Sequence, residues 1–383
     1  MDSLQLNLRH LRALHSIVRL GSISAAALDI HLTQPAITQG IARLEAAIGT
    51  PLFDRRANGM EPRASAIILS DRIETALKLV NNRRVTSTQM RAFNYLARTG
   101  SYTAAAAASG VSQASLHRSV SDLSLAYGFA LVERRGRGLG LTSKGREVAR
   151  RFSLARAELD AGLDEIATLG GQETGHIALG AMPLARALVL PRVMAKYHEI
   201  HPHVRFVVME GSHTELIGPL RDGELSLIIG ALRGGSAGPD LIEKPLFVDE
   251  PIVIASADHP LTGRSASIED LARYPWVMPG THAPLRTSWE QWFIDAGQPI
   301  PTVPIECGSV IIIRQLLMDG NFLTLLSRNQ VNLELDAGRL AHIDARLSIR
   351  RSIGMTCRAE WNPTKLQRAF IDLLEQQVET IDS

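Results

Sequence analysis

The chain repeats itself. Gly21-Ser22 returns as Gly100-Ser101, an offset of 79 residues. At that offset, with no gap, Gln34 meets Gln113, Leu44 meets Leu123, Gly49 meets Gly128 and Leu52 meets Leu131, while Arg55-Arg56 meet Arg134-Arg135. Arg12-Ala13 recur as Arg91-Ala92, and Ala25-Ala26-Ala27 as Ala104-Ala105-Ala106. A fixed offset implies that each copy is one folding unit, and two copies are too few for a solenoid. The first half is therefore expected to hold two small tandem domains.

Within a copy the pattern is helical. Residues 8–20 carry an apolar stripe, Leu8, Leu11, Leu14, Ile17 and Val18, which Gly21 ends. Ser24 to Leu28 reads as a short second helix whose alanines allow close packing. Thr33 is placed to cap a third helix, Pro35 suits its first turn, and Ile37, Ile41, Leu44 and Ile48 share one face until Gly49. Gln34, Thr38, Gln39 and Arg43 point the other way. Short or planar hydrogen-bonding side chains plus one cation are what a helix in a DNA major groove needs. An ordinary amphipathic surface helix would show the same stripe; the recurrence of the arrangement favours DNA. The basic turn Arg55-Arg56-Ala57-Asn58-Gly59 then offers arginines to phosphate.

The second copy spans about 86–141. Its third helix presents Gln113, Ser115, His117 and Arg118, with Asp122 in place of Arg43 and Ser124 in place of Glu45. Arg134, Arg135 and Arg137 rebuild the basic turn. Gly136, Gly138 and Gly140 superficially suggest a nucleotide loop, but the spacing is not that of a P-loop and the repeat puts them in a wing turn.

Between the copies, residues 66–80 read as a helix with mixed faces, closed by Asn81-Asn82-Arg83-Arg84 as a linker. Lys144 to Leu169 is a long helix with Val148, Phe152, Ala155, Leu159, Leu163 and Ile166 along one side, a stripe that should pack on another helix. From Gly175 strands alternate with helices: strand 176–180, helix 183–197, strand 204–209, helix 214–222, strand 225–230. That order predicts a parallel sheet with right-handed crossovers. A strand at 252–255 enters a second lobe containing Trp276-Val277-Met278, helix 287–296, Ile305-Glu306-Cys307, helix 310–318 and Leu323 to Leu326. A strand at 354–358 returns, and a helix over 363–378 closes the chain.

Charge separates the halves. Residues 1–170 hold 22 Lys and Arg against 14 Asp and Glu; the remainder is acidic by six, although the whole chain is only +2. This asymmetry points to a polyanion partner for the first half. No apolar run approaches the roughly 20 residues of a membrane span. Met1-Asp2-Ser3-Leu4 lacks the features of a signal peptide. The isolated Cys307 and Cys357 fit a reducing cytosol and complete no zinc site.

Each copy resembles the winged helix-turn-helix of the LysR-type transcriptional regulators. The matching pattern is Gly-Ser-(Ile/Tyr)-(Ser/Thr)-Ala-Ala-Ala, then (Thr/Ser)-Gln, then, clearest in the first copy, Leu-Glu and Gly-x-Pro-Leu-Phe-x-Arg. The first copy matches better at Thr33-Gln34-Pro35-Ala36 and Leu44-Glu45, the second at Leu141-Thr142-Ser143-Lys144-Gly145. One such domain per chain is the family's usual arrangement, so the duplication is a departure. The resemblance covers nearly the whole chain and implies two all-α winged helix-turn-helix domains, a linker helix, and a two-lobed α/β effector domain similar to type-2 periplasmic binding proteins. The expected divisions are 1–65, 66–85, 86–143, 144–170 and 171–383, with lobe I at 171–253 and 354–383 and lobe II at 254–353. In the family the linker helix pairs subunits, which implies a homodimer or homotetramer through that helix.

Open α/β sheets bind ligands beyond their strand ends, at helix N-termini. The candidates are Met182 and Pro183; Ser212, His213 and Thr214; Arg233; Met278, Pro279, Gly280 and Thr281; Arg286; and Ser309. The resemblance implies that positions matching Thr214, Met278 to Thr281 and Ser309 hold effectors. Hydroxyls, free N–H groups, His213 and an arginine suit a small anion such as an organic or sugar acid. Ser212, Thr214 and Ser309 could instead be plain helix caps, and Arg286 a solvated arginine. His282-Ala-Pro-Leu-Arg286 and Arg358-Ala-Glu-Trp361-Asn-Pro363-Thr are similar to the branch that regulates sugar uptake and aromatic-acid catabolism.

The expectation is a cytoplasmic regulator binding double-stranded DNA and a small effector, without cofactor or metal. An enzyme is disfavoured: Asp222, Glu224 and Asp319 show no acid–base spacing, and no Ser/His/Asp order resembles a nucleophile elbow. A transport binding protein would not need the basic half. A nucleoid-type DNA-binding protein would leave the cleft without a use. A further alternative keeps one helix-turn-helix copy for protein interaction only.

Overall fold

A computed structural model describes residues 3–56, 59–135, 138–171, 173–187 and 189–379. The chain divides into two compact units. The first comprises Met1–His176 with the short segments Arg221–Glu224 and Pro363–Lys365.

In this unit the duplication is visible element by element. The first copy holds α1 (Leu8–Leu20), α2 (Ile23–Asp29), α3 (Gln34–Ile48), the antiparallel wing strands β1 (Phe53–Arg56) and β2 (Gly59–Pro62), and α4 (Ala64–Val80). The second holds α5 (Ser87–Thr99), α6 (Tyr102–Ser109), α7 (Gln113–Tyr127), the wing strands β3 (Val132–Arg135) and β4 (Gly138–Leu141), and α8 (Ser143–Leu169). The glycine stretch expected to be a wing turn thus runs into a hairpin strand at Gly138.

The same local chemistry starts and stops both sets. Ser22 and Ser101 cap α2 and α6; Thr33 and Ser112 cap α3 and α7. Gly49 and Gly128 end α3 and α7 in the left-handed region at φ 75° and 77°, where a Cβ would be strained. One continuous core runs through both copies: Leu11, Leu14, Ile17, Ile37, Ile41 and Leu44 are buried, and so are their repeat mates Met90, Phe93, Leu96, Leu116, Val120 and Leu123.

The long stripe of α8 does pack on a helix, and that helix is α4. Val148, Phe152, Ala155 and Leu159 are buried in the same core as Leu69, Ile73, Ala76 and Val80. The helix that covers this stripe belongs to the same chain. The mixed faces of residues 66–80 have the same cause, because α4 is packed against both α1 and α8.

The second unit begins along β5 (Gly175–Ala181), followed by α9 (Pro183–Ala187), α10 (Val189–Ile200), β6 (Val204–Glu210), α11 (His213–Arg221), β7 (Leu227–Ala231), β8 (Leu241–Asp249) and β9 (Ile252–Ser256). The expected helix 183–197 falls on α9 and α10. Lobe II adds β10 (Ser265–Ala266), α12 (Ile268–Leu271), β11 (Val277–Met278), α13 (Pro284–Asp295), β12 (Ile305–Glu306), α14 (Val310–Asp319), β13 (Thr324–Leu326), α15 (Asn332–Asp336), β14 (Leu340–His342) and β15 (Asp344–Ala345). The chain returns through β16 (Arg351–Arg358) to α16 (Lys365–Glu379).

Lobe I is a five-stranded sheet in the order β6-β5-β7-β16-β8, parallel between β5 and β7 and antiparallel at β16. Ile177, Leu179 and Ala181 of β5 face a core with Val193, Tyr197 and Phe370, while Ala178 faces another with Leu216 and Leu220. A strand buried on both faces reads as an unbroken apolar run, as in 177–181. The edge strand β8 is legible only in the structure: Pro245 interrupts it beside a register shift opposite Gly354, a position that an edge tolerates. Lobe II centres on β9, flanked by antiparallel β13 and β14, over a core of Trp276, Trp289 and Phe293. Among the described residues no helix is long and apolar enough to cross a membrane.

Candidate functional site

Two surfaces carry the chemistry. On α3 the buried face is Ile37, Gly40, Ile41 and Leu44. Gln34, Pro35, Gln39 and Arg43 are exposed opposite it, with Thr38 half-buried. Gln34 Nε2 donates to Ser24 Oγ at 3.0 Å, and the Thr38 hydroxyl donates to the Gln34 carbonyl at 3.1 Å. The Glu45 carboxylate accepts from the Leu52 and Phe53 amides at 2.8 and 3.2 Å, tying the wing to α3. Gly40 lets α1 approach: a Cβ there would come within 2.9 Å of the His10 ring. Burial lowers the pKa of His10, and the charges of Arg43 and Arg9 lower it further.

On α7 the scaffold is the same and the face is different. Gln113, Ser115, His117, Arg118 and Asp122 are all exposed. Gln113 Nε2 donates to Thr103 Oγ1 at 2.7 Å, the counterpart of the Gln34–Ser24 bond one repeat earlier. Ser115 accepts from the Ser112 hydroxyl at 2.9 Å, and His117 stacks on Tyr102 with ring centroids 3.5 Å apart. Arg134 is exposed on its wing. Arg55, Arg56 and Arg135 have their backbone in wing strands; their side chains, and Arg137 altogether, lie outside the described residues.

The second surface is a cavity of about 480 Å³ inside the second unit, between its two lobes. Of the residues named from sequence, Met182, Pro183, Ser212, His213, Thr214, Arg233, Pro279, Gly280 and Ser309 line it. Gly230 permits this wall, because a Cβ there would sit 2.4 Å from Met182 Sδ. Three expected residues are elsewhere. Met278 is fully buried in the lobe II core. Thr281 is exposed and does not line the cavity. Arg286 is buried, bonded to Glu290 at 2.6 Å, near Glu306, and stacked over Trp289 at 5.1 Å. Helical spacing of Arg286 and Glu290, four residues apart, was the signal for that ion pair.

Arg233 reaches across the mouth. Its backbone amide donates to Glu243 at 2.8 Å and its Nη1 to the His282 carbonyl at 3.3 Å, while Nε is buried without a hydrogen-bond partner. Burial lowers its pKa, against the pull of Glu243. The Ser212 hydroxyl and amide both donate to Glu215 at 2.7 Å, which lowers the pKa of that carboxyl. Ser212, just before α11, is thus tied to the first turn of that helix and also lines the cavity. Ser309 precedes α14 but makes no side-chain capping bond; its amide donates to Cys307 Sγ at 3.4 Å.

Sequence reasoning missed Arg186, Cys307, Gln330 and Arg351 as lining residues. Arg351 Nε donates to Asp249 at 2.5 Å and Nη2 to Ser327 Oγ at 3.2 Å, and Ser327 also donates to Asp249. Those residues lie far apart in the chain, so no local pattern announces them.

Tandem winged helix-turn-helix folds, each with an exposed polar recognition-type helix, together with a two-lobed α/β unit that holds an internal cleft, define a transcriptional regulator with an effector-binding domain. Residues 170–379 match the LysR substrate binding domain. Residues 8–65 and 87–146 each match the bacterial regulatory helix-turn-helix protein, lysR family. The chain belongs to the LysR family of transcriptional regulators. It is similar to the HTH-type transcriptional regulator GalR of Pseudomonas putida, 29% identical over 367 residues and 92% of each chain. It is also similar to the SDS degradation transcriptional activation protein of a Pseudomonas species, 31% identical over 71% of this chain and 89% of that one. Among solved structures, a full-length OxyR variant from Pseudomonas aeruginosa, with one cysteine changed to aspartate, shares the fold at a TM-score of 0.55, with 24% identity over 76% of this chain and 96% of that one.

Proposed function

We propose that this regulator binds promoter DNA through both helix-turn-helix copies and that a small anionic effector in the lobe cleft modulates that binding. The observation that carries the effector reading is Arg233, whose buried Nε has no hydrogen-bond partner on the cavity wall. Buried guanidinium donors left unpaired are costly, and an oxyanion would satisfy them. Ser309 and the N-terminus of α14 supply further donors on the opposite wall. On DNA, Gln34, Gln39 and Arg43 read bases from α3. Gln113 and Arg118 do so from α7, with Ser115 and His117 held by neighbours, and the wing arginines hold phosphate.

The cleft reading is tested by thermal shift with a panel of small organic and sugar acids. A binding acid at 100 times its Kd should stabilise the parent by about 2.7 kcal/mol. Arg233→Met and Ser309→Ala should weaken the same acid, whereas Arg286→Ala should leave its affinity unchanged and lower stability instead. Retention of full affinity by Arg233→Met refutes the assignment. The DNA reading is tested by salt titration. Arg134→Ala should reduce the slope of log K against log salt by about one and weaken all sequences alike; an unchanged slope refutes its phosphate role.

A further inference from the structure

The duplicated half does more than supply two DNA-binding domains. The pairing of α4 with α8 has the geometry of an interface between two copies of one subunit. The helices run antiparallel: Arg72 of α4 meets Glu158 of α8 at 2.9 Å, and seven residues further along α4 the Leu79 carbonyl accepts from Arg151 Nε at 2.8 Å. On the other side of Arg72, a Cβ at Gly162 would touch Leu69.

The two contacts are reciprocal under the offset of 79. Arg151 is the repeat mate of Arg72, and Glu158 is the repeat mate of Leu79. Residue i of one copy thus touches position j of the other, while position i of the second touches j of the first. That reciprocity is the signature of a twofold interface. Residues on a twofold axis meet their own mates, and this occurs: the Leu8 amide donates to the Ser87 hydroxyl at 2.7 Å, and these two positions are repeat mates. The contact register puts the mates Ala76 and Ala155, both buried, at the centre of the seam.

We infer that residues 8–169 are a covalent pseudo-dimer, so that one chain by itself occupies a duplex element of two inverted half-sites. The half-sites are unequal. Thr38, Gln39 and Arg43 face one of them, and their mates His117, Arg118 and Asp122 face the other. A two-chain head with identical recognition helices selects a palindrome, as operator symmetry mirrors protein symmetry. A fused head with two different helices selects an asymmetric dyad. The seam also fixes the pairing: Arg72 is buried and bonded to both Glu158 and Glu165, whereas the α4 acceptor for Arg151 is the Leu79 carbonyl.

This inference rests on the reading that both copies bind DNA, and one experiment separates the two. A duplex selected from random sequence by the full-length protein is titrated well above its Kd and then footprinted with the parent, Gln34→Ala and Arg118→Ala. The parent should saturate at one chain per dyad, whatever its self-association. Gln34→Ala should lose protection in one half-site and Arg118→Ala in the other, each with about a tenfold loss of affinity. Turning the dyad into a perfect inverted repeat of either half should weaken binding. Saturation at two chains per dyad, or equal weakening of both halves by each variant, overturns the pseudo-dimer while leaving the DNA role of both copies intact. A footprint and affinity untouched by Arg118→Ala overturns the participation of the second copy, and the inference with it.

Discussion

The two helix-turn-helix copies are equal inside and unequal outside. Leu11, Leu14, Ile17, Ile37, Ile41, Leu44, Leu69, Ile73, Ala76 and Val80 along α1, α3 and α4 all have buried apolar mates along α5, α7 and α8, whereas Leu8, at the start of α1, has Ser87. Size drifts at these positions, as in Leu14 against Phe93 and Ile73 against Phe152, but their apolarity does not. Close packing punishes volume and polarity errors alike, so a core tolerates exchange among hydrophobes and little else. The exposed faces obey no such rule. Arg43 against Asp122 reverses a charge at one helical position. The difference teaches that the scaffold and the readout of a duplicated domain answer to separate physical constraints.

The seam offers the largest test of that asymmetry. Arg72→Ala strands two carboxylates against a buried helix pair and should cost about 3 kcal/mol in chemical denaturation, the low end for breaking a buried ion pair. Arg151→Ala removes one bond to a carbonyl and should cost about 1 kcal/mol. The guanidinium of Arg72 is opposed by burial but held by Glu165 and Glu158, which raise its pKa, so the pair should persist to strongly alkaline pH. Equal losses for the two arginines would mean that the seam is symmetric in energy as well as in geometry.

A smaller effect is expected on the outer faces. Asp122→Arg gives the second copy the cation that the first has, and should steepen the salt dependence of DNA binding by about one phosphate contact. Fold stability should be unchanged, because position 122 is exposed. An unaltered slope would show that this end of α7 faces away from the duplex.

The smallest effect concerns His10, whose mate is Gln89. Burial and then Arg43 and Arg9 lower its pKa, so the fold prefers the neutral ring. The resulting stability is fully present above the unfolded value of about 6.5 and is lost as pH falls below it. His10→Gln should therefore flatten the decline of Tm between neutral and mildly acidic pH relative to the parent. Parallel declines would remove His10 from that balance.

Much of this molecule was legible in order along the chain. Stripes at 3.6-residue spacing, Gly21 and Gly49 as stops, and Ser22 and Thr33 as caps are local signals, and the helices lie where they point. Residues 176–180 likewise announced a strand. The candidate DNA residues were readable because a recognition-type helix declares its buried face and leaves the rest outward. The cleft was readable only where a helix start follows a strand. Met278 fits such a start in sequence yet belongs to the lobe II core, and Arg351 lines the cavity through partners 102 and 24 residues away.

The sequence by itself therefore determined the two repeats of the first half, their caps, their stripes and the polar faces they leave exposed, because hydrophobic periodicity and capping act over a few residues. The tertiary structure alone decided what covers the long stripe of α8. The repeat offset aligns α4 with α8, yet nothing in either stripe says whether its complement lies in the same chain or in another. The turn from Val80, left-handed at Asn81 with φ 46°, brings the second copy back so that α4 and α8 run antiparallel. Burial against a partner of equal pattern then follows from geometry, and Arg72 and Arg151, local strangers to Glu158 and Leu79, acquire their partners only there.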